Sequence, residues 1–106
     1  MTVHGMAEKL GLKIAQMEDD REISAVYCCD LLSVAMAKVP RDAVWVTVIG
    51  NKNVVAVASL AEVSCVILAE GFAYDAGTIE AAKGKVSLFL SDQPVYETAV
   101  QAGALL

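Results

Sequence analysis

A basic cluster is the first thing this sequence lacks. Its eight lysines and arginines (Lys9, Lys13, Arg21, Lys38, Arg41, Lys52, Lys83, Lys85) are scattered along 106 residues, and the formal net charge is −5. Nucleic-acid affinity is dominated by phosphate neutralisation and needs such a cluster on one face, so neither DNA nor RNA is an expected partner. Metal ligands are equally scarce. One histidine (His4) and three cysteines (Cys28, Cys29, Cys65) do not make a four-ligand zinc set, and the adjacent pair is not a CxxC. No metal or cofactor is expected. On a strand Cys28 and Cys29 would point to opposite faces. All three cysteines read as small buried hydrophobes in a reducing cytoplasm.

Long uncharged runs are missing too. The most apolar window, Val54 to Ala69, is 16 residues long and contains Glu62, whereas a membrane span needs around 20 residues with few charges. Its Ala-rich first half and β-branched second half read as a helix followed by a strand. The opening residues, MTVHGMAEKLGLKIAQ, lack the basic-then-apolar order of a signal peptide. A soluble, cytoplasmic protein is the expectation, with no membrane partner.

Catalytic signatures are absent as well. Gly84-Lys85 suggests a phosphate-binding P-loop, but that motif requires glycine at position 79 and Ser or Thr at 86, where Ile79 and Val86 stand. Neither GxSxG nor GxGxxG occurs. His4 falls on a short amphipathic helix, and Asp19, Asp20, Glu22 and Asp92 fall where turns and caps want carboxylates. Catalysis by this chain is not expected.

Apolar residues, by contrast, are abundant. They make up 57% of the chain, or about 60% when glycine is counted and tyrosine is not, against about 45–50% in typical domains. One small domain has little room to hide that much apolar surface, so part of it is expected in a subunit interface, most simply that of a homodimer.

Periodicity divides the chain into elements. Val3, Met6, Ala7 and Leu10 are spaced for a helix ending at Gly11. Leu12 to Gln16 could be a short strand, and Met17 to Glu22 is a charged turn. Ile23 to Cys29 suits a strand, after which Asp30 opens and caps a helix stopped before Pro40. Val44 to Ile49 is a strand. Asn51 or Asn53 then caps a helix running to about Glu62, followed by strand Ser64 to Ala69. A helix begins at Asp75 and closes at Gly84, Val86 to Leu90 is the last strand, and Ser91-Asp92-Gln93-Pro94 introduces a helix from Val95 to about Ala102. Strand and helix alternate from residue 44 onward, which predicts an α/β fold with a mostly parallel sheet flanked by helices. No linker or repeat interrupts it, so residues 1–106 form one domain.

In open parallel sheets ligands sit at the carboxyl ends of strands, where helix N-termini offer unpaired N–H groups to anions. Those ends here are Gly50-Asn51-Lys52-Asn53, Glu70-Gly71 and Ser91-Asp92, with Asp30 to Ser33 beside them. Lys52 would favour a small anionic ligand, and Glu70 and Asp92 would oppose it. The same residues also serve as ordinary caps and turns.

These stretches resemble a known family. Strand Val44–Ile49 followed by GNKNVVAVASLAEVSCVILAEG, then YDAGTIEAA and SDQPVYETA, is similar to DRTGG domains, which occur inside some phosphotransacetylases and CBS-containing pyrophosphatases. Upstream, DREISAVYCCDLLS (Asp20 to Ser33) looks like stand-alone bacterial members often labelled as relatives of HPr serine kinase. The resemblance implies a fold like the N-terminal domain of HPr kinase, more distantly like the uridine-nucleotide-binding domain of Mur ligases, and a regulatory, paired, non-catalytic role. Two departures stand out. Asn51 and Lys52 replace the usual Asp and Arg, and Ala69-Glu70-Gly71 replaces Thr-Gly-Gly. Three readings follow: a dimeric regulatory or interaction module that could engage a protein partner; a sensor of a nucleotide or other anionic metabolite; and a small enzyme.

Overall fold

The apolar runs form the strands, and the spaced apolar positions between them form the helices. The structure, a computed structural model, describes residues 1–106. In chain order the elements are α1 (Val3–Leu10), β1 (Lys13–Gln16), β2 (Val26–Cys28), α2 (Leu32–Lys38), β3 (Val44–Thr47), α3 (Lys52–Ala61), β4 (Cys65–Leu68), α4 (Thr78–Ala82), β5 (Ser87–Leu90) and α5 (Val95–Gly103). They build one α/β domain around a five-stranded sheet ordered β1-β5-β4-β3-β2. Strands β2 to β5 are mutually parallel, and β1 pairs antiparallel with β5.

Both faces of this sheet carry a core, which is why its middle strands read as unbroken apolar runs. Val44, Val46, Cys65, Ile67 and Phe89 point to one face, where Val3, Met6 and Ala7 of α1 and Ala102 of α5 cover them. Trp45, Val66 and Leu88 point to the other, beneath Ala35 of α2, Val54, Val55, Val57 and Ala58 of α3, and Ala82 of α4. The Trp45 indole N–H, fully buried, donates to the Cys29 carbonyl at 2.9 Å. The window from Val54 to Ala69 divides into α3 and β4, and no helix is long and apolar enough to cross a membrane.

Four details differ from the sequence reading. Strand β2 begins only at Val26, because Ile23 N–H donates to the Met1 carbonyl and Thr2 bridges Glu22, which holds that stretch against the N-terminus. Asp30 does not cap α2. The cap residue is Leu31, which gives no side-chain bond. Helix α4 is shorter than expected, since Asp75 N–H donates to the Gly50 carbonyl and Gly77 sits at φ +82°, so the chain turns before it coils. Only Cys65 is a buried cysteine. Cys28 is exposed, while Cys29, facing the opposite side, packs against the second core.

Candidate functional site

Strand order decides where the carboxyl-end rim can open. Strands β2 to β5 lie side by side in chain order, and the intervening helices α2, α3 and α4 all cover one face. A crevice forms where successive connections leave for opposite faces. That happens once in this parallel block: the chain leaves β4 toward α4 on one face and β5 toward α5 on the other. The segments flanking this gap are Glu70-Gly71 and Ser91-Asp92, both singled out by sequence.

The gap is stitched closed. Glu70 N–H donates to the Gln93 carbonyl at 2.8 Å and Gly71 N–H to the Ser91 carbonyl at 3.0 Å. The Glu70 carboxylate accepts from Val95 N–H at 2.7 Å, satisfying the first turn of α5 from another loop. Ser91 Oγ accepts from Gln93 N–H at 3.1 Å and shares a 3.0 Å bond with the Thr98 hydroxyl. Asp92 pairs with Lys13 at 3.4 Å. A chain that had to cradle a phosphate here would need free N–H groups and small residues. This one spends those N–H groups on its own carbonyls.

The remaining candidates fall into two places. Asp30 Oδ1 accepts from the buried Thr47 hydroxyl at 2.8 Å and from Val48 N–H at 2.9 Å, which ties the ends of β2 and β3 together. Ser33 is exposed and makes no hydrogen bond through its side chain. Gly50, Asn51, Lys52 and Asn53 form the entry to α3. Of the two possible caps it is Asn51 that accepts, from Asn53 N–H at 2.9 Å. The Gly50 carbonyl accepts from Asp75 N–H at 2.7 Å, and a Cβ at Gly50 would lie 3.0 Å from the Ala73 carbonyl oxygen, so glycine is required by close approach.

Lys52 folds over the start of α4, where a Cβ on Gly77 would come within 2.8 Å of its Cε. It takes part in none of the molecule's ion pairs. Around it Asn51, Asn53, Asp75, Ala76 and Thr78 line an open groove of about 290 Å³. Asp75 brings a carboxylate to the same groove, so its charge is mixed. The rim thus separates into the Asp30 tie, the Lys52 groove and the closed β4–β5 gap, whose Ser91 and Asp92 also line a pocket of about 160 Å³ with Lys13 and Gln101, and nothing brings all ten candidates around one cavity.

Elsewhere several titratable groups have structural partners. His4 Nε2 lies 2.8 Å from the Glu18 carbonyl, its Nδ1 3.9 Å from Asp20, and its backbone N–H donates to Asp20, which holds that carboxyl below its usual range. Burial pushes the Cys65 thiol and the Tyr74 hydroxyl well up, and Tyr74 donates to the Phe89 carbonyl at 3.0 Å. Partial desolvation, with Asp30 nearby, also raises the Cys28 thiol, the wrong direction for a nucleophile.

Sequence reading missed Asp75 and Thr78 as lining of the Lys52 groove, since they read as a helix start. It also missed the largest cavity, a groove of about 460 Å³ between α1 and β1 lined by His4, Ala7, Glu8, Gly11, Leu12, Ile14 and Met17. No protein-family model matches this chain, and no curated protein matches it.

Proposed function

We propose that the protein is a non-catalytic regulatory or interaction module of the DRTGG type that works as a homodimer. One observation carries this reading: apart from Lys52 and Ser33, most polar groups at the carboxyl-end rim are committed to internal caps and ties, while large apolar side chains stand exposed. Ile14, Leu31, Leu60, Phe72, Tyr96 and Val100 are each at least half exposed. A surface so composed favours association over chemistry. The resemblance over Asp20–Ser33 and Gly50–Ala99 supports the same role. Gel filtration with light scattering at micromolar concentration should give twice the 11.2 kDa chain mass; a single-chain mass overturns the dimer.

A second reading is favoured by the unpaired Lys52 at the start of α3, where a helix terminus and an ammonium both attract negative charge. Under it the α3–α4 groove senses a small anion such as a nucleotide or an acyl phosphate. Binding to the native state would raise the melting temperature in a panel of such compounds. A rise abolished by Lys52→Ala supports the sensor, and no rise with any compound rejects it.

A further inference from the structure

The sheet ends at β1, and that end is open. Apart from the ladder to β5, the main chain of Lys13–Met17 makes no hydrogen bond within the protein. An edge of this kind is a template for another strand. Beside it, on the α1 face, lies the groove of about 460 Å³, with Ala7, Leu12, Ile14 and Met17 among its lining residues and Ile14 58% exposed.

We infer that the β1 edge and this groove form one self-complementary surface that takes a second copy of the chain, related by a two-fold axis. The inference rests on the dimeric reading above and locates its interface. Charge order argues for a like partner over a foreign one. Along the chain the sequence runs from Lys13 at the start of β1 to Glu18 just past its end, positive to negative: Lys13 pairs with Asp92, whereas the Glu18 carboxylate receives Gly84 N–H at 3.0 Å and the Gln16 side-chain N–H. An antiparallel two-fold sets Lys13 opposite the partner's Glu18, and does so twice. The same operation lays Ile14 of each copy beside Met17 in the groove of the other. Isologous interfaces require such end-for-end complementarity.

Two features of β1 shape the contact. Its register with β5 breaks between Ile14 and Gln16, which shortens the ladder that two copies can share, so packing of Ile14 in the groove carries most of the association. Lys13, a residue type that discourages edge pairing when uncompensated, already has Asp92 within 3.4 Å and gains a second carboxylate across the axis.

Light scattering on the full chain tests this with four variants. Ile14→Asp buries a charge at the interface and should weaken dimerisation at least tenfold; Ile14→Thr, which keeps a β-branched strand former, should weaken it less. Lys13→Glu should weaken it, and Lys13→Glu combined with Glu18→Lys should restore it. Val100→Asp, on the outer side of α5, is the control and should remain dimeric. Far-UV circular dichroism reports folding, and the Ile14→Thr result stands if Ile14→Asp unfolds. A wild-type monomer overturns both this interface and the dimeric reading. A dimer insensitive to Ile14 and Lys13 changes, above all one split by Val100→Asp, overturns this interface and leaves the dimer in place.

Discussion

Arg21 reaches three acceptors on two different loops: Nη1 donates to the Val63 carbonyl at 2.8 Å, and Nη2 to the Glu62 carbonyl at 3.2 Å and to the Asp42 carboxylate. Asp42 and Glu62 both hold left-handed backbone, φ +63° and +57°, at the chain turns that precede β3 and β4. One planar side chain therefore fastens the turns feeding the two central strands. Removing it leaves the part-buried Val63 carbonyl without a donor and Asp42 without its ion pair, while the Glu62 carbonyl keeps the Asp42 N–H at 2.9 Å. Arg21→Ala is expected to cost about 1–2 kcal/mol, the scale of lost side-chain hydrogen bonds at a half-exposed site. Arg21→Lys should recover little, since an ammonium does not reproduce the forked geometry. Urea midpoints at constant slope measure both, and a lysine variant as stable as wild type rejects the forked tie. Sequence reading had no access to this role. Arg21 stood in a charged hexapeptide that looked like any solvated turn, and its acceptors lie 21 to 42 residues away.

At the scale of elements, local signals succeeded where local chemistry decides. The spacing of Val3, Met6 and Ala7 with Gly11 behind it yields α1 to the residue, and Asn51 caps α3 as one of its two expected candidates. They failed where a distant group supplies the bond. Asp30 looks like the cap of α2 but turns back to Thr47, and α5 has no side-chain cap of its own because Glu70, 25 residues upstream, provides the acceptor. The same Glu70 sits at φ +65°, where a Cβ is strained. Its cap and its strain oppose each other, and that opposition is testable. Glu70→Ala keeps the strain and loses the cap, so it should destabilise by about 1 kcal/mol. Glu70→Gly loses the cap and relieves the strain, so it should lie closer to wild type. Thermal melts of the two variants decide; an alanine variant at least as stable as the glycine variant rejects the account.

For the molecule as a whole, the α/β class and the parallel block were legible because continuous apolar runs alternate with amphipathic ones. The position of β1 was not, since nothing local reveals that residues 13–16 pair antiparallel with residues 88–90. Likewise the rim residues were legible as strand ends, but whether they gather around one cavity depended on the face each helix chose. The β1–β5 contact also orders events in time. Strands β2 to β5 join neighbours in chain order through single helices, whereas Glu18 meets Ser87 across 69 residues. Closing that loop costs more entropy than any crossover and gains only an edge strand, so β1 and α1 are expected to dock after the folding barrier. Leu12→Ala should then speed unfolding while leaving refolding nearly unchanged, whereas Val46→Ala in β3 should slow refolding. Stopped-flow chevrons distinguish these, and a slowed refolding limb for Leu12→Ala rejects late docking. The open flank of β5 would meanwhile be exposed in every partly folded chain, so the seventeen or so residues around β1 act as an internal chaperone, shielding a strand that would otherwise recruit its neighbours into aggregates.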